Sequence, residues 1–146
     1  MTSGKLTEAQ RRRIQEALET VPFAKLIGIE LETVEPGLSV LALEIRAELK
    51  QNNGVVHGGA IASLIDTATA FAIIPLLAEG ERATTIDLTI NYLRPLETGR
   101  ARATARVLRA GRRVIVVSAE VLDDAKNLAA TALSTYLRLS SSKAIP

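Results

Sequence analysis

The sequence predicts an α+β fold in which an antiparallel sheet of about six strands wraps around one long central helix, with a short helix at the N-terminus. Two observations support this prediction. The chain reads as two strands, one apolar helix and four further strands, without the alternation of strands and helices that a parallel sheet requires. Its 146 residues, 47% of them hydrophobic, suit one compact core. The single domain, residues 1–146, divides into an N-terminal helix (7–20), a core (21–139) and a loose tail (140–146).

The N-terminal helix is predicted from its boundaries. Thr7 and Gln10 have the spacing of a capping box, in which each side chain bonds the backbone N–H of the other residue. Apolar residues recur on one side up to Pro22, which stops the helix. We expect this helix to flank the core without a chemical role.

Six later segments read as strands. Most alternate between apolar and polar residues, as strands covered on one side do. In the third, Ile86 and Tyr92 fall on the apolar face and Thr85 on the polar face. A Pro-Gly turn joins the first two strands, which form a hairpin. The predicted strands cover residues 29–35, 38–46, 85–92, 100–108, 113–122 and 128–139.

The central helix contains the least expected carboxylate of the chain. Between residues 60 and 78 four polar side chains interrupt an apolar run, namely Ser63, Asp66, Thr67 and Thr69. Such a helix is apolar on almost every face, so we expect the rest of the fold to enclose it. Because a buried lone charge is costly, Asp66 should be paired, partly hydrated or used in a reaction. The structural alternative is that Ser63 and Asp66 form a helix-start pair.

The same apolar run approaches the length of a membrane span. Asp66 in its middle, Pro75 near its end and its many alanines favour a buried helix instead, so we expect no membrane association. Residues 1–13 are polar and then basic, so we expect no signal peptide. The absence of cysteine is compatible with the cytoplasm. With one histidine and no cysteine, we also expect no metal and no cofactor.

A histidine and two glycines, His57-Gly58-Gly59, stand directly before the helix. Paired glycines allow a sharp bend into a helix. They also leave backbone N–H groups uncovered at the positive end of the helix dipole, where a carbonyl oxygen gaining negative charge is stabilised. This arrangement is an oxyanion hole, whereas a lone histidine in that position is more often structural.

Gly58 and Asp66 are too far apart to act together within one chain. They are eight residues apart, which is roughly 12 Å along a straight helix. If both act on one carbonyl group, a second copy must lie antiparallel alongside, so that Asp66 of one chain meets Gly58-Gly59 of the other. A symmetric dimer provides two such sites.

The segment from Gly54 to Gly59, followed by Asp66, resembles the core signature of hotdog-fold acyl-CoA thioesterases of the phenylacetic-acid-degradation (PaaI-like) type. The resemblance extends over residues 21–139 and includes segments 23–29, 35–37, 85–95 and 111–113. It implies a hotdog fold, homodimers that pair into homotetramers, and hydrolysis of an aryl-acyl or medium-chain acyl-CoA. Coenzyme A is then part of the substrate.

The resemblance also implies catalytic roles. Gly58 and Gly59 would polarise the thioester carbonyl, while His57 would shape the loop or hold the thioester. Asp66 of the partner subunit would act as general base or nucleophile, two roles that the sequence does not separate. A hydroxyl residue after the helix positions water in this family. Thr85 matches it best, with Thr84 as its neighbour and strand packing as the alternative explanation.

Further residues are candidates for substrate binding. Related enzymes often carry an asparagine about six residues before the histidine. Here Gln51 holds that place and is followed by Asn52 and Asn53, so any of the three amides is a candidate. Arg112 and Arg113 are candidates for the nucleotide phosphates, as charge-assisted donors. Solvent-exposed surface arginines are the alternative.

The charge pattern does not favour nucleic acid as a partner. The net charge is +2, and seven arginines lie between residues 94 and 113. Several of them alternate with alanines, which indicates a solvated strand face, and stacking aromatics are nearly absent. Three other functions stay open. They are a hydratase or dehydratase of acyl thioesters, a non-catalytic acyl-CoA-binding protein, and a purely structural oligomer.

Overall fold

A computed structural model describes residues 4–140 and confirms the predicted class and order of elements. The predicted tail therefore lies, apart from Ser140, outside the described residues. Two 3₁₀ turns, Ala47–Leu49 and Ile74–Leu76, flank the central segment. The helices are α1 (Glu8–Glu19), α2 (Pro22–Ile27) and α3 (Gly58–Ile73). The strands are β1 (Ile29–Glu35), β2 (Leu38–Glu44), β3 (Arg82–Tyr92), β4 (Arg100–Ala110), β5 (Val114–Leu122) and β6 (Leu128–Leu139).

All six strands form one antiparallel sheet in the order β1-β2-β4-β5-β6-β3. The chain crosses from β2 to the far edge through α3, which packs on the inner face of the sheet. Strands β1 and β3 are the two edges. The prediction of a sheet wrapped around one helix is therefore confirmed.

The N-terminal helix begins as predicted and is followed by a helix that was not predicted. Thr7 and Gln10 form the expected capping box. Pro22 does more than stop α1, because it is the first residue of α2, a position where its missing N–H costs nothing. Gly28 ends α2 with a positive φ of 85°. The Arg46 guanidinium bonds the last carbonyls of this short helix.

The inner face of β4 consists of alanines. Ala101, Ala103 and Ala105 are all 0% exposed, and their short side chains let α3 lie close to the sheet. On the other face, Arg100 and Arg102 form ion pairs with acidic residues of neighbouring segments. The predicted alternation of arginines and alanines is confirmed, but Arg100 and Arg102 are partly covered by their ion pairs rather than fully solvated.

The predicted single apolar face of β3 is wrong at Ile86. The register of β3 against β6 skips one residue between Thr85 and Asp87, so Ile86 is the extra residue of a β-bulge. Because the bulge shifts the side-chain alternation, Thr85 before it and Leu88 after it both face α3. Ile86 itself is 56% exposed.

The expected enclosure of the central helix is only partly present in the single chain. Residues such as Leu64, Ile65 and Ala68 are buried against the sheet. A second set of small and polar residues along α3 stays half-buried, and we call it the open stripe: Ala62, Ser63, Asp66, Thr67 and Ala70. Gly58–Leu76 is long and apolar enough to cross a membrane by length and composition, but its buried residues are those of the core helix.

Candidate active site

The start of α3 is fixed by the ring of His57. Its Nδ1 atom accepts a hydrogen bond from the Gly59 N–H at 2.8 Å, so His57 is the N-cap of the helix. The Gly58 N–H has no acceptor within residues 4–140. Of the two predicted oxyanion donors, Gly58 is therefore available, whereas Gly59 is engaged by the cap.

The helix-start alternative for Ser63 and Asp66 is wrong. The helix begins at Gly58, five residues before Ser63. The Ser63 hydroxyl donates back to the Gly59 carbonyl at 2.8 Å, which is a bond within the helix rather than a cap. Asp66 therefore lies two turns inside α3, as the position of the glycines predicted.

Tyr92 explains why the first helical residue is a glycine. Its hydroxyl donates to the Gly58 carbonyl at 2.9 Å. A Cβ atom at Gly58 would lie 3.3 Å from the Tyr92 ring, and one at Gly59 would lie 3.0 Å from Nδ1 of His57. Side chains at either position would disturb the cap or the tyrosine. Sequence reasoning assigned Tyr92 only to a strand face and missed this contact.

Asp66 is half-buried on the open stripe and is paired with a strand hydroxyl. The Thr85 hydroxyl donates to Oδ1 of Asp66 at 3.0 Å. Oδ2 accepts no protein hydrogen bond in the described part of the chain and is free to accept one from water or substrate. Thr84 is exposed, beside Leu137 in the β3–β6 register. Of the two predicted threonines, only Thr85 reaches the carboxylate.

A second pair of hydroxyls lies behind Asp66. The Tyr136 hydroxyl donates to the Asp66 carbonyl oxygen at 3.1 Å, and the Thr69 hydroxyl lies 3.0 Å from the same oxygen. The two hydroxyls are 2.7 Å apart. Burial raises the pKa of Tyr136, against the lowering effect of its hydrogen bond to Thr69. The phenol therefore keeps its proton and remains a donor.

The three candidate amides differ in their surroundings. The Asn53 side chain accepts from the Val55 N–H at 3.3 Å and so helps to form the loop. Asn52 is exposed. Gln51 borders a cavity of about 250 Å³ beside the start of α3, together with Ile61, Tyr92 and Leu96. Gln51 is thus the amide that the fold places next to the helix start.

Arg112 and Arg113 lie in the turn between β4 and β5 and border a groove with Arg109. Both are exposed, and neither forms an ion pair among residues 4–140. Arg138 ties this turn to the start of β3 through the Gly111 carbonyl and the Glu81 carboxylate. The arginines therefore lie at the end of the sheet where β3 begins.

The single chain holds most of the candidate residues, together with Tyr92, as two separate half-sites. The helix-start half-site comprises Gln51, His57, Gly58 and Tyr92, and the carboxylate half-site comprises Asp66 and Thr85. They lie at different heights on α3, two turns apart. Within residues 4–140 no three His, Asp or Glu side chains cluster to hold a metal ion.

A six-stranded antiparallel sheet around one helix, with a glycine turn at the helix start and a carboxylate on the helix, defines a hotdog-fold thioester hydrolase. The family is the thioesterase superfamily, to which this chain belongs, because the sequence model of that superfamily matches residues 53–130, more than half of the chain.

Individual relatives agree with this family. The medium/long-chain acyl-CoA thioesterase YigI of Escherichia coli is 33% identical over 132 residues, covering 80% of this chain and 85% of that protein. The solved PaaI protein from the phenylacetic acid degradation operon of E. coli is 27% identical, with a TM-score of 0.81, and the match covers 89% of this chain and 93% of PaaI. A Haemophilus influenzae thioesterase shares the fold with a TM-score of 0.86 at 20% identity, over 99% of this chain and 98% of that one.

Proposed function

We propose that the protein hydrolyses an acyl-CoA thioester to the free acid and coenzyme A. The observation that carries this proposal is the half-buried Asp66, whose Oδ1 is held by Thr85 while Oδ2 is free. A carboxylate held in this way is suited to activating water or attacking a carbonyl carbon. The similarity to YigI, a medium/long-chain acyl-CoA thioesterase, supports acyl-CoA as the substrate class.

The proposed enzyme is a homodimer. The open stripe leaves one side of α3 half-covered, and β3 has a free edge over its 11 residues. A second copy with its α3 antiparallel to the first would cover the stripe with the same stripe of the other chain, as a two-fold interface requires. It would also bring Asp66 of the partner subunit towards Gly58. Pairing of two such dimers into a tetramer is part of the same proposal.

In this assembly the helix-start half-site binds the thioester carbonyl. The Gly58 N–H stabilises negative charge on the carbonyl oxygen, and the Gln51 amide is the second donor. His57 keeps its capping role and shapes the loop. As a base, Asp66 takes a proton from the water that adds to the carbonyl carbon and passes it to the departing thiolate. As a nucleophile, Asp66 adds to the carbonyl carbon and the thiolate leaves; water then splits the acyl-Asp66 anhydride into the free acid and the Asp66 carboxylate and supplies the proton of the thiol.

The substrate has an apolar acyl group and a phosphorylated carrier. The cavity beside Gln51 is lined mainly by apolar side chains such as Val56, Ile61 and Leu96, which suits an aryl or medium-chain acyl group. The exposed guanidinium groups of Arg112 and Arg113 suit the nucleotide phosphates of coenzyme A. No cofactor is needed for this hydrolysis. We also propose that the protein is located in the cytoplasm, which is compatible with its lack of cysteine.

The test is thiol release from a panel of aryl and fatty acyl-CoA esters by the native protein and by Asp66→Asn. Asn keeps the size of the side chain and removes its charge. We expect kcat to fall by about 10²-fold or more in a variant that melts as the native protein does. Asp87→Asn is the matched control, because Asp87 is an exposed aspartate on the strand that carries Thr85.

The same panel, with an enoyl-CoA added, separates the alternatives. Hydration of enoyl-CoA without thiol release would indicate the hydratase. Binding of acyl-CoA without turnover, unchanged in Asp66→Asn, would indicate a binding protein. Full turnover in Asp66→Asn would return Asp66 to a structural role and contradict the proposed mechanism.

A further inference from the structure

Asp66 is held at its backbone as well as at its carboxylate. Its carbonyl oxygen lies within hydrogen-bond distance of the hydroxyls of Tyr136 and Thr69, which also bond each other. Two hydroxyl hydrogens serve these three contacts, so one hydroxyl donates to the carbonyl and the other donates to its neighbour. Tyr136 is only 3% exposed, and a buried hydroxyl of this kind is not readily replaced by water.

The strand pair that supplies Tyr136 also supplies Thr85. The two residues are direct partners in the β3–β6 register. Thr85 bonds the carboxylate of Asp66, and Tyr136 bonds the carbonyl of the same residue. One cross-strand pair therefore fixes both ends of Asp66 relative to the sheet.

We propose that Tyr136 and Thr69 are positioning residues for the hydrolysis. They set the rotation and height of α3 at residue 66, so that the carboxylate stays in line with Thr85 and with the reacting carbonyl. Neither touches the substrate. This inference rests on the proposed function. A misplacement of about 1 Å at a reacting group can lower the rate about 10²-fold. The positioning role therefore accounts for a tyrosine beneath the helix in a core with few aromatic residues.

The test compares Tyr136→Phe and Thr69→Val with the conservative Thr69→Ser. Ser39→Ala is the matched control, because the buried Ser39 hydroxyl also joins the sheet to a carbonyl of α3, at Ala68, 2.6 Å away. It holds the helix two residues beyond Asp66 without touching Asp66. Melting temperature, kcat and KM are measured for each variant with the best acyl-CoA of the panel.

We expect Tyr136→Phe and Thr69→Val to lower kcat about tenfold, with KM within about twofold of native, because the loss acts on the carboxylate rather than on substrate binding. Thr69→Ser should keep a kcat near native. Ser39→Ala should lower the melting temperature by a similar amount but leave kcat within about twofold. If Tyr136→Phe does not fold, Thr69→Val with its serine counterpart decides the matter.

Two outcomes would overturn the inference. One is a native kcat in Tyr136→Phe and Thr69→Val. The other is an equal loss of kcat in Ser39→Ala, which would show that any weakening of the helix has the same effect. A failure of the proposed function looks different, because Asp66→Asn would then turn over substrate like the native protein, or no thiol would be released by any form.

Discussion

The Nδ1 atom of His57 accepts the Gly59 N–H at 2.8 Å, so the only histidine of the chain caps its central helix. An accepting Nδ1 means that the ring proton of the neutral imidazole is on Nε2. The cap engages Gly59 and leaves the Gly58 N–H directed out of the helix start. One backbone donor, rather than two, is therefore left unengaged at this end of α3.

Removing this cap should destabilise the protein. We expect His57→Ala to lower the free energy of unfolding by about 1 kcal/mol, the usual cost of losing a side-chain N-cap. His57→Asn should retain most of the stability, because its side-chain oxygen can accept the same N–H. Urea unfolding of the three proteins measures the difference. Equal unfolding free energies for His57→Ala and the native protein would contradict this, because they would show that water replaces the imidazole as acceptor for the Gly59 N–H without loss of stability.

The buried phenol should make the fold sensitive to high pH. Because burial raises the pKa of Tyr136 above its ordinary value of about 10, the folded chain holds the phenol proton more tightly than the unfolded chain does. The stability linked to this proton is complete below the ordinary pKa and is lost as the pH rises through the folded pKa. We expect the unfolding free energy to fall more steeply above about pH 10 in the native protein than in Tyr136→Phe. Parallel curves in urea unfolding from pH 8 to 11 would contradict this.

The two half-sites should complement each other between subunits. Asp66→Asn breaks the carboxylate half-site. Gly58→Val breaks the helix-start half-site, because even the first added carbon lies 3.3 Å from the Tyr92 ring. Each variant alone should be nearly inactive. A heterodimer purified through two different tags contains one intact site and one doubly broken site, so we expect about half of the native activity.

The control for this experiment is a mixture of the two variants that never exchanged subunits, which should stay inactive. No recovery in the purified heterodimer would contradict a site shared between two chains. Recovery would also show that the helices of the two subunits run antiparallel, since only that arrangement pairs Gly58 of one chain with Asp66 of the other.

The exposed arginines of the β4–β5 turn should act on substrate binding alone. We expect the double variant Arg112→Glu and Arg113→Glu to raise KM for acyl-CoA about tenfold, equivalent to about 1.4 kcal/mol. It should leave KM for an acyl-pantetheine, which lacks the nucleotide, unchanged. Arg106→Glu is the control, because Arg106 is exposed on β4 and forms no ion pair in the described region. A similar rise in KM for acyl-CoA and for acyl-pantetheine would show that these arginines do not bind the nucleotide phosphates.

Sequence patterns predicted the elements that depend on local chemistry. The capping box at Thr7, the Pro-Gly turn and the bounds of β6 follow from residue types at fixed spacings, and the structure reproduces them. The central helix and the position of Asp66 two turns inside it were also predicted, since paired glycines mark where a chain can bend into a helix. The short helix α2 was missed because Pro22 was interpreted only as a stop.

The features that the sequence did not predict depend on contacts between distant segments. The bulge at Ile86 has no local signal, because an alternating strand and a strand with one extra residue have the same composition. In the sequence, Tyr92 and Tyr136 have the pattern of ordinary strand residues. Only the folded structure shows that their hydroxyls bond carbonyl groups of α3. Thr85 was predicted from a family resemblance rather than from its own pattern. The structure adds the bulge that turns it towards Asp66.

The alanines beneath α3 limit which side chains β4 can carry. Ala101, Ala103 and Ala105 are fully buried where β4 packs against α3, so a larger side chain at any of them would have no free volume to occupy. Larger residues in β4 would push α3 away from the middle of the sheet. A larger residue in β4 would therefore have to be matched by a smaller one on the facing side of α3, at positions that never touch the substrate.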